Sequence, residues 1–516
     1  MKQPKTKATI GILATLISYV SVNSYLHTTH PDLFVWSPED REEAQWMATS
    51  KWWLDRKACR WLGLCGVPHV HFVQKIFGHR PPAEGTEDDA DDAGFDWQNA
   101  WLADNDRPEN FTENEKQLRE IPDYVLEYAP LVHLFSGEQF WPCDIAEHLF
   151  HTTPELNYTP IYPESRHPSL KHLDKFNKYN NGRWWLEGEK NIPAKPSDDD
   201  VYDPADYEHY PGRSYLDGVK DSFRDLRKWF APGIDDADQK DDFRKSLKGQ
   251  AIIKDNSSFR GRYHQELKRA ITDAPKKLLR GGRSDAPAIL VVIDKGHGVV
   301  DAFWFFFYSF NLGNVVFNVR FGNHIGDWEH SMVRFHHGKP KAVFFSEHDF
   351  GSAYSYEAVE KIGKRPVIYS AIGTHAMYAT PGMHPYVLPW GILHDQTDRG
   401  PLWDPALNSY AYTYETKNET LRPSNLSPNA PTGWFHYHGR WGDKFYPLGD
   451  RRQYRFAGQY HYGNGPTGPK FKHLDRVKVC EGPTESPCVI KHWLSGTDQI
   501  RLGRDIDRDE NPDNDL

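Results

Sequence analysis

Four side chains able to bind a metal ion or carry a proton, His324, Asp327, Glu329 and His330, fall within seven residues, just after the turn-forming Gly322 and Asn323. Side chains alternate along a strand, so Asp327 and Glu329 share one face and Trp328, His330 and Met332 the other, with His324 reaching back from the glycine-flanked turn. Two carboxylates and an imidazole with one side open suit a hard or borderline divalent cation, Mg or Ca above all, with water completing the shell. Zinc fits less naturally. A packing reading competes: Asp327 caps a turn, Glu329 pairs with Arg320 or Arg334, and Trp328 fills core.

Further groups could build a cavity at the same place. His348, after Ser346 and Glu347, and His375, after Gly373 and Thr374, follow apolar runs, and antiparallel strands would bring both to the His324 turn. Together with His330 they are the expected cavity lining. Asp395 and Asp398 add carboxylates from a loop containing Gly400; the ligand spacing of an EF-hand is not met, and Asx turns are the alternative use. His148 and His151 lack the intervening Glu of a zinc-protease helix and read as packing or surface residues. No serine-hydrolase elbow, phosphate loop or dinucleotide fingerprint occurs.

Strands must hold these groups in place. In a chain of 516 residues, an aromatic fraction of 14%, with 18 Trp, 26 Tyr and 28 Phe, favours sheet. Apolar runs at 288–293, 299–310, 315–321, 325–335, 341–346 and 366–372, separated by short polar or glycine turns, predict a mainly β protein with α insertions. The expected architecture is an antiparallel β-sandwich core with an N-terminal helix and long irregular loops. The run from Trp304 to Tyr308 is apolar on both faces and reads as a central strand between two layers. The β-rich domain is expected over 119–462, interrupted by a loop-rich insertion at 160–286 with helical islands near 218–230 and 241–247. Residues 124–134 read as strand-like and 140–151 as helical.

The N-terminal part reads as delivery. Lys2, Lys5 and Lys7 precede a largely apolar run, so residues 1–30 form a signal peptide or, by preference, an uncleaved signal anchor. That predicts a single-pass type II membrane protein with a lumenal body in the secretory or vacuolar pathway; a secreted protein is the alternative. An amphipathic helix and a cysteine segment follow over 38–80, then an acidic linker over 81–118; at the other end, 463–516 form an extension with an acidic tail. Sequons at Asn110, Asn157, Asn256 and Asn418 fit a glycoprotein; Asn425, whose sequon is followed by Pro428, is a poor acceptor. Five cysteines fit an oxidising compartment if Cys59 pairs with Cys65 and Cys480 with Cys488, leaving Cys143. The net charge of −10 and the lack of a basic stripe exclude a general nucleic-acid binder.

Several ordered blocks carry a resemblance: Tyr124 to Val132, Asp144 to Pro154, Gly326 to His330, Tyr369 to Ala376 and Leu402 to Pro405. Over roughly residues 120–450 the chain resembles the fungal vacuolar protein sorting-associated protein 62 family, which implies a role in delivering proteins to the vacuole. Cys143 stands where a small polar residue is the family pattern. A second likeness covers about residues 299–378, where His324, Asp327, Trp328, Glu329, His348 and His375 are similar to the core of the necrosis-inducing Nep1-like proteins. Those are secreted β-sandwiches, and the likeness implies His324, Asp327 and Glu329 as cation ligands, with His348 and His375 beside them. Gly326 replaces the His of that pattern. The resulting expectation is a binding module acting in vacuolar sorting, with a divalent cation helping to hold a glycan, lipid headgroup or protein cargo. A secreted metal-dependent hydrolase using His330, His348 or His375 as base, and a structural trafficking adaptor with no metal site, are the rivals.

Overall fold

The computed structural model describes most of residues 14–70, 97–102, 111–188, 229–230, 283–482 and 487–494, apart from short stretches within them. Its centre is an eight-stranded sheet. The strands, in chain order, are β1 (Ala288–Gly296), β2 (Val299–Asn311), β3 (His324–His336), β4 (Lys339–Glu347), β5 (Phe350–Ser355), β6 (Ser409–Glu415), β7 (Thr420–Pro423) and β8 (Ile490–Lys491). They lie side by side as β7-β6-β1-β2-β3-β4-β5-β8. The four long central strands run antiparallel, with tight turns between β1 and β2 and between β3 and β4 and a longer connection between β2 and β3, whereas β6 joins β1, and β8 joins β5, in parallel. Parallel neighbours need long crossovers, and here the intervening chain supplies the second layer.

Strand β2 shows why the sheet is central. Phe303, Phe305 and Phe307 enter one core with Trp328, Met332, Phe344, Trp434 and Trp441. Trp304, Phe306 and Tyr308 enter the opposite core with Val333, Val343, Ile368 and Trp403. Both sets are buried, as the two-faced run predicts. The second core closes against a five-stranded sheet that includes Leu131–His133, Arg365–Ser370, Met377–Tyr378 and Leu402–Trp403. Two sheets thus face each other across an aromatic layer, and the first core is closed by the helix Ile145–Phe150 and by loops around Trp434 and Trp441.

Several local expectations change. The apolar stretch 315–321 is a hairpin, Asn314–Val316 with Val319–Phe321, because Phe317 and Asn318 both take positive φ and turn the chain between them. The strand-like run at 124–134 opens as a helix, Asp123–Glu127, with Asp123 in its first turn, and becomes a strand only after Pro130. Trp184–Gly188, inside the stretch read as a loop-rich insertion, pairs with Thr152–Leu156 and buries Trp184 and Leu186. The helical islands near 218–230 and 241–247 and the acidic tail lie outside the described residues, apart from the short pair Trp229–Phe230 with Arg283–Ser284; of the linker expected over 81–118, residues 81–96 and 103–110 do too, while its described parts form the helices Trp97–Ala100 and Glu113–Leu118 and bury Trp101 in the first core.

Disulfides join Cys59 to Cys65 and Cys480 to Cys488, while the Cys143 thiol donates to the Asp144 carbonyl at 3.5 Å. Among the described residues no helix is long and apolar enough to cross a membrane. Of the expected anchor, residues 1–13, 16, 20, 23, 27 and 28 lie outside the description, and the described residues between 14 and 26 are helical.

Candidate functional site

Strand β3 begins at His324 and is kinked two residues later. Gly326 has φ +70, and a Cβ there would stand 1.9 Å from the Trp441 carbonyl, so only glycine fits. That explains why Gly326 interrupts the sequence pattern. Beyond it the pairing with β2 keeps register: Asp327 lies opposite Tyr308 and Glu329 opposite Phe306. His348 follows the end of β4, and His375 follows Arg365–Ser370 in the second sheet. Both take positive φ, +60 and +55, a backbone region costly for residues with a Cβ and frequent where side chains are held for function.

These elements bring His324, Asp327 and His348 together, with one ligand atom of each within 4.8 Å of the others. His324 Nδ1 donates to the Gly326 carbonyl at 2.7 Å, which leaves Nε2 with its lone pair. Burial pushes the His324 imidazole down to about 4, against the pull of Asp327, so it is a neutral donor at physiological pH. Burial opposes charge on Asp327 too, but the hydrogen bond from His375 and the nearby His348 and His324 outweigh it and hold its carboxyl below the ordinary value.

A shell of fixed partners supports the three. His375 Nδ1 donates to Asp327 Oδ2 at 3.0 Å, and its Nε2 faces the Phe140 carbonyl at 3.1 Å with Glu138 at 3.6 Å. With acceptors at both nitrogens, His375 is raised to about 9 in spite of burial, chiefly by Glu138 and Asp327. Its ring stacks on Tyr308, centroids 3.8 Å apart. Glu138 is itself gripped by the backbone N–H groups of Phe140 and Gly373, both at 2.8 Å.

Glu329, expected as a ligand, stands behind His348. It pairs with His348 Nδ1 at 3.0 Å, accepts from the His348 N–H at 2.9 Å and accepts from the Ser346 hydroxyl. Burial disfavours charge on His348, yet Glu329, Asp327 and Asp395 raise it to about 10. His348 is the open side of the group, with 38% of its side chain exposed. His330 is a correction: it points to the other face of β3, buried among Phe303, Phe305 and Phe344 beside Arg476, because alternation separates it from Asp327 and Glu329. Asp395 is buried and accepts from Asn314 and Thr374 through Oδ1 and from Tyr378 through Oδ2. Asp398 lies one residue past the strand His394–Thr397, half-buried and outside the three-residue group. Of the expected glycan acceptors, Asn418 is exposed in the turn between β6 and β7, and Asn110, Asn157 and Asn256 lie outside the described residues.

Sequence reasoning missed Glu138 and gave Tyr308 and Ser346, both part of the second likeness, no role in the site. Tyr308 sits in an aromatic run that reads as core, and Glu138 is a lone carboxylate in a turn; neither carries a local signal.

The site is thus a compact His/Asp cluster on a β-rich scaffold. The family follows from comparison. Residues 290–446 match the family model described as vacuolar protein sorting-associated protein 62. The chain is 35% identical over 408 residues to TDA6 of Saccharomyces cerevisiae, described as a vacuolar protein sorting-associated protein, covering 74% of this chain and 72% of that one. It is 34% identical over 399 residues to vacuolar protein sorting-associated protein 62 of the same yeast, covering 72% and 71%. This chain therefore belongs to the vacuolar protein sorting-associated protein 62 family. No solved structure matches it.

Proposed function

We propose that this protein acts in vacuolar protein sorting as a binding module whose rim holds a divalent cation through His324, Asp327 and His348, a borderline ion such as Zn or Mn and not the Mg or Ca that two carboxylates would favour. The convergence of these three side chains within 4.8 Å carries the reading. The donor set is one carboxylate oxygen and two imidazoles, with Glu329 and His375 fixing the orientation of His348 and Asp327; His348, charged in the absence of an ion, gives up a ring proton to the solvent when it binds one. A three-residue set leaves coordination positions for water or for ligand oxygens, which is how such a cation would help hold a glycan, a lipid headgroup or a cargo carboxylate. The names of the two yeast relatives support the sorting role, and the two disulfides support a lumenal body in the vacuolar pathway, held by the N-terminal apolar run.

Calorimetric titration of the purified protein with Mg, Ca, Mn and Zn tests this. Wild type is expected to bind at least one ion. Asp327→Asn combined with Glu329→Gln, and separately the half-buried His324→Gln, are expected to abolish that binding while circular dichroism shows the sheet retained. Absence of binding in wild type, or equal binding in the variants, overturns the cation site.

A further inference from the structure

Among the described residues, the helix Trp53–Leu62 is held to the body through Asp55 and Cys59. Asp55 and Cys59, one turn apart, face inward: Asp55 accepts from the Val67 N–H at 3.3 Å, and Cys59 is bridged to Cys65. Cys65 lies in a short strand that pairs with Arg455–Phe456, so the inner face is fixed in the fold. The opposite arc carries Trp53, Leu54, Lys57 and Trp61 (positions i, i+1, i+4 and i+8). Trp53 is 61% exposed, Leu54 65% and Trp61 38%, and Trp52 just before the helix is 70% exposed. In a chain that buries Trp101, Trp304, Trp328, Trp403, Trp434 and Trp441, this cluster of exposed indoles stands apart.

Charge indicates what would cover it. Lys51, Arg56, Lys57 and Arg60 surround the arc, and the helix's single acid, Asp55, is turned inward. Lys57 lies over the Trp61 ring at 4.7 Å, so cation and indole form one mixed surface. Indoles together with Lys and Arg on one helix face match the boundary layer of a bilayer, where rings lie at headgroup depth and cations meet lipid phosphates and carboxylates. We infer that Trp53–Leu62 is an interfacial helix that lies flat on an anionic lipid surface and holds one face of the protein against it. This contact is separate from any N-terminal anchor and from the cation site.

Hydroxyl-radical footprinting of the full chain, read by peptide mass spectrometry, tests this locally, so binding through another segment does not register. Vesicles of phosphatidylcholine with phosphatidylserine are expected to slow oxidation of Trp52, Trp53 and Trp61 several-fold. Lys57→Gln with Arg60→Gln is expected to lower apparent vesicle affinity at this site by about fivefold per charge at low salt. Unchanged oxidation in the presence of these vesicles overturns the proposal. Protection that grows with protein concentration in their absence also overturns it, by assigning the face to a second copy of the chain. Equal protection by phosphatidylcholine alone overturns the anionic assignment.

Discussion

Gly326 is the residue on which the geometry of the His324, Asp327 and His348 group depends. Its positive φ turns His324 back toward Asp327, and its carbonyl fixes the His324 tautomer. A methyl group there meets the Trp441 carbonyl at 1.9 Å, whereas at Gly322, with φ +92, the nearest atom would be 3.8 Å away. Gly326→Ala is therefore expected to cost roughly 2–4 kcal/mol, from left-handed strain plus a backbone clash, and Gly322→Ala only about 1 kcal/mol, from strain alone. Urea unfolding midpoints of the two variants check the difference; equal losses would mean that the clash is absent. The ligand candidates His324 and Asp327 were legible because a strand rule applies to neighbours in sequence. The role of Glu329 was not, since its partners Ser346 and His348 come from the adjacent strand and the turn after it. Alternation also predicts that His330 faces away from Asp327, and the buried ring against Phe305 is its consequence.

At the scale of elements, the central strands were readable because each is long, apolar and bounded by turn residues. Strand β5, with Gly351, Ser352 and Ser355 among its six residues, lacks that signature and is held by pairing with β4. Trp184–Gly188 was obscured by its polar surroundings. The segment after Lys472 shows a different kind of hidden order, since charge ties it to the sheet. Arg334 on β3 makes a paired contact with Asp301 on β2, 2.7 Å at each oxygen, and also donates to the Val477 carbonyl at 2.5 Å. Lys295 on β1 donates to the Leu474 and Arg476 carbonyls at 2.7 and 3.2 Å. Asp301 is wholly buried, so removing its main cation leaves a charge without adequate compensation. Arg334→Met is expected to destabilise the protein by about 3 kcal/mol or more and to open residues 472–481 to limited proteolysis. Unchanged cleavage there would show that the apolar contacts of Leu474 and Val479 suffice.

At the scale of the whole molecule, the N-terminal helices are attached by a patch that sequence alone could not reveal, because its partners are some 400 positions away, as in Lys444 with Glu42. Glu42 accepts two hydrogen bonds from Lys444, at 2.8 and 2.9 Å, and the Lys444 ammonium lies 4.1 Å from the Tyr158 ring centre. Glu43, buried beside it, binds both Arg455 and Tyr460. Trp46 packs with Leu448 and the Cys59–Cys65 bridge, and strand Leu64–Cys65 completes the attachment to Arg455–Phe456. The central sheet makes none of these contacts, so the attachment should open as its own cooperative unit. Glu42→Gln with Glu43→Gln strips both acids from buried cations, and native-state hydrogen exchange is expected to lose protection over residues 38–70 by at least tenfold, about 1.4 kcal/mol. Protection across β1 to β4 should stay at the wild-type level. If the two regions lose protection together, the N-terminal helices belong to the same folding unit as the sheet.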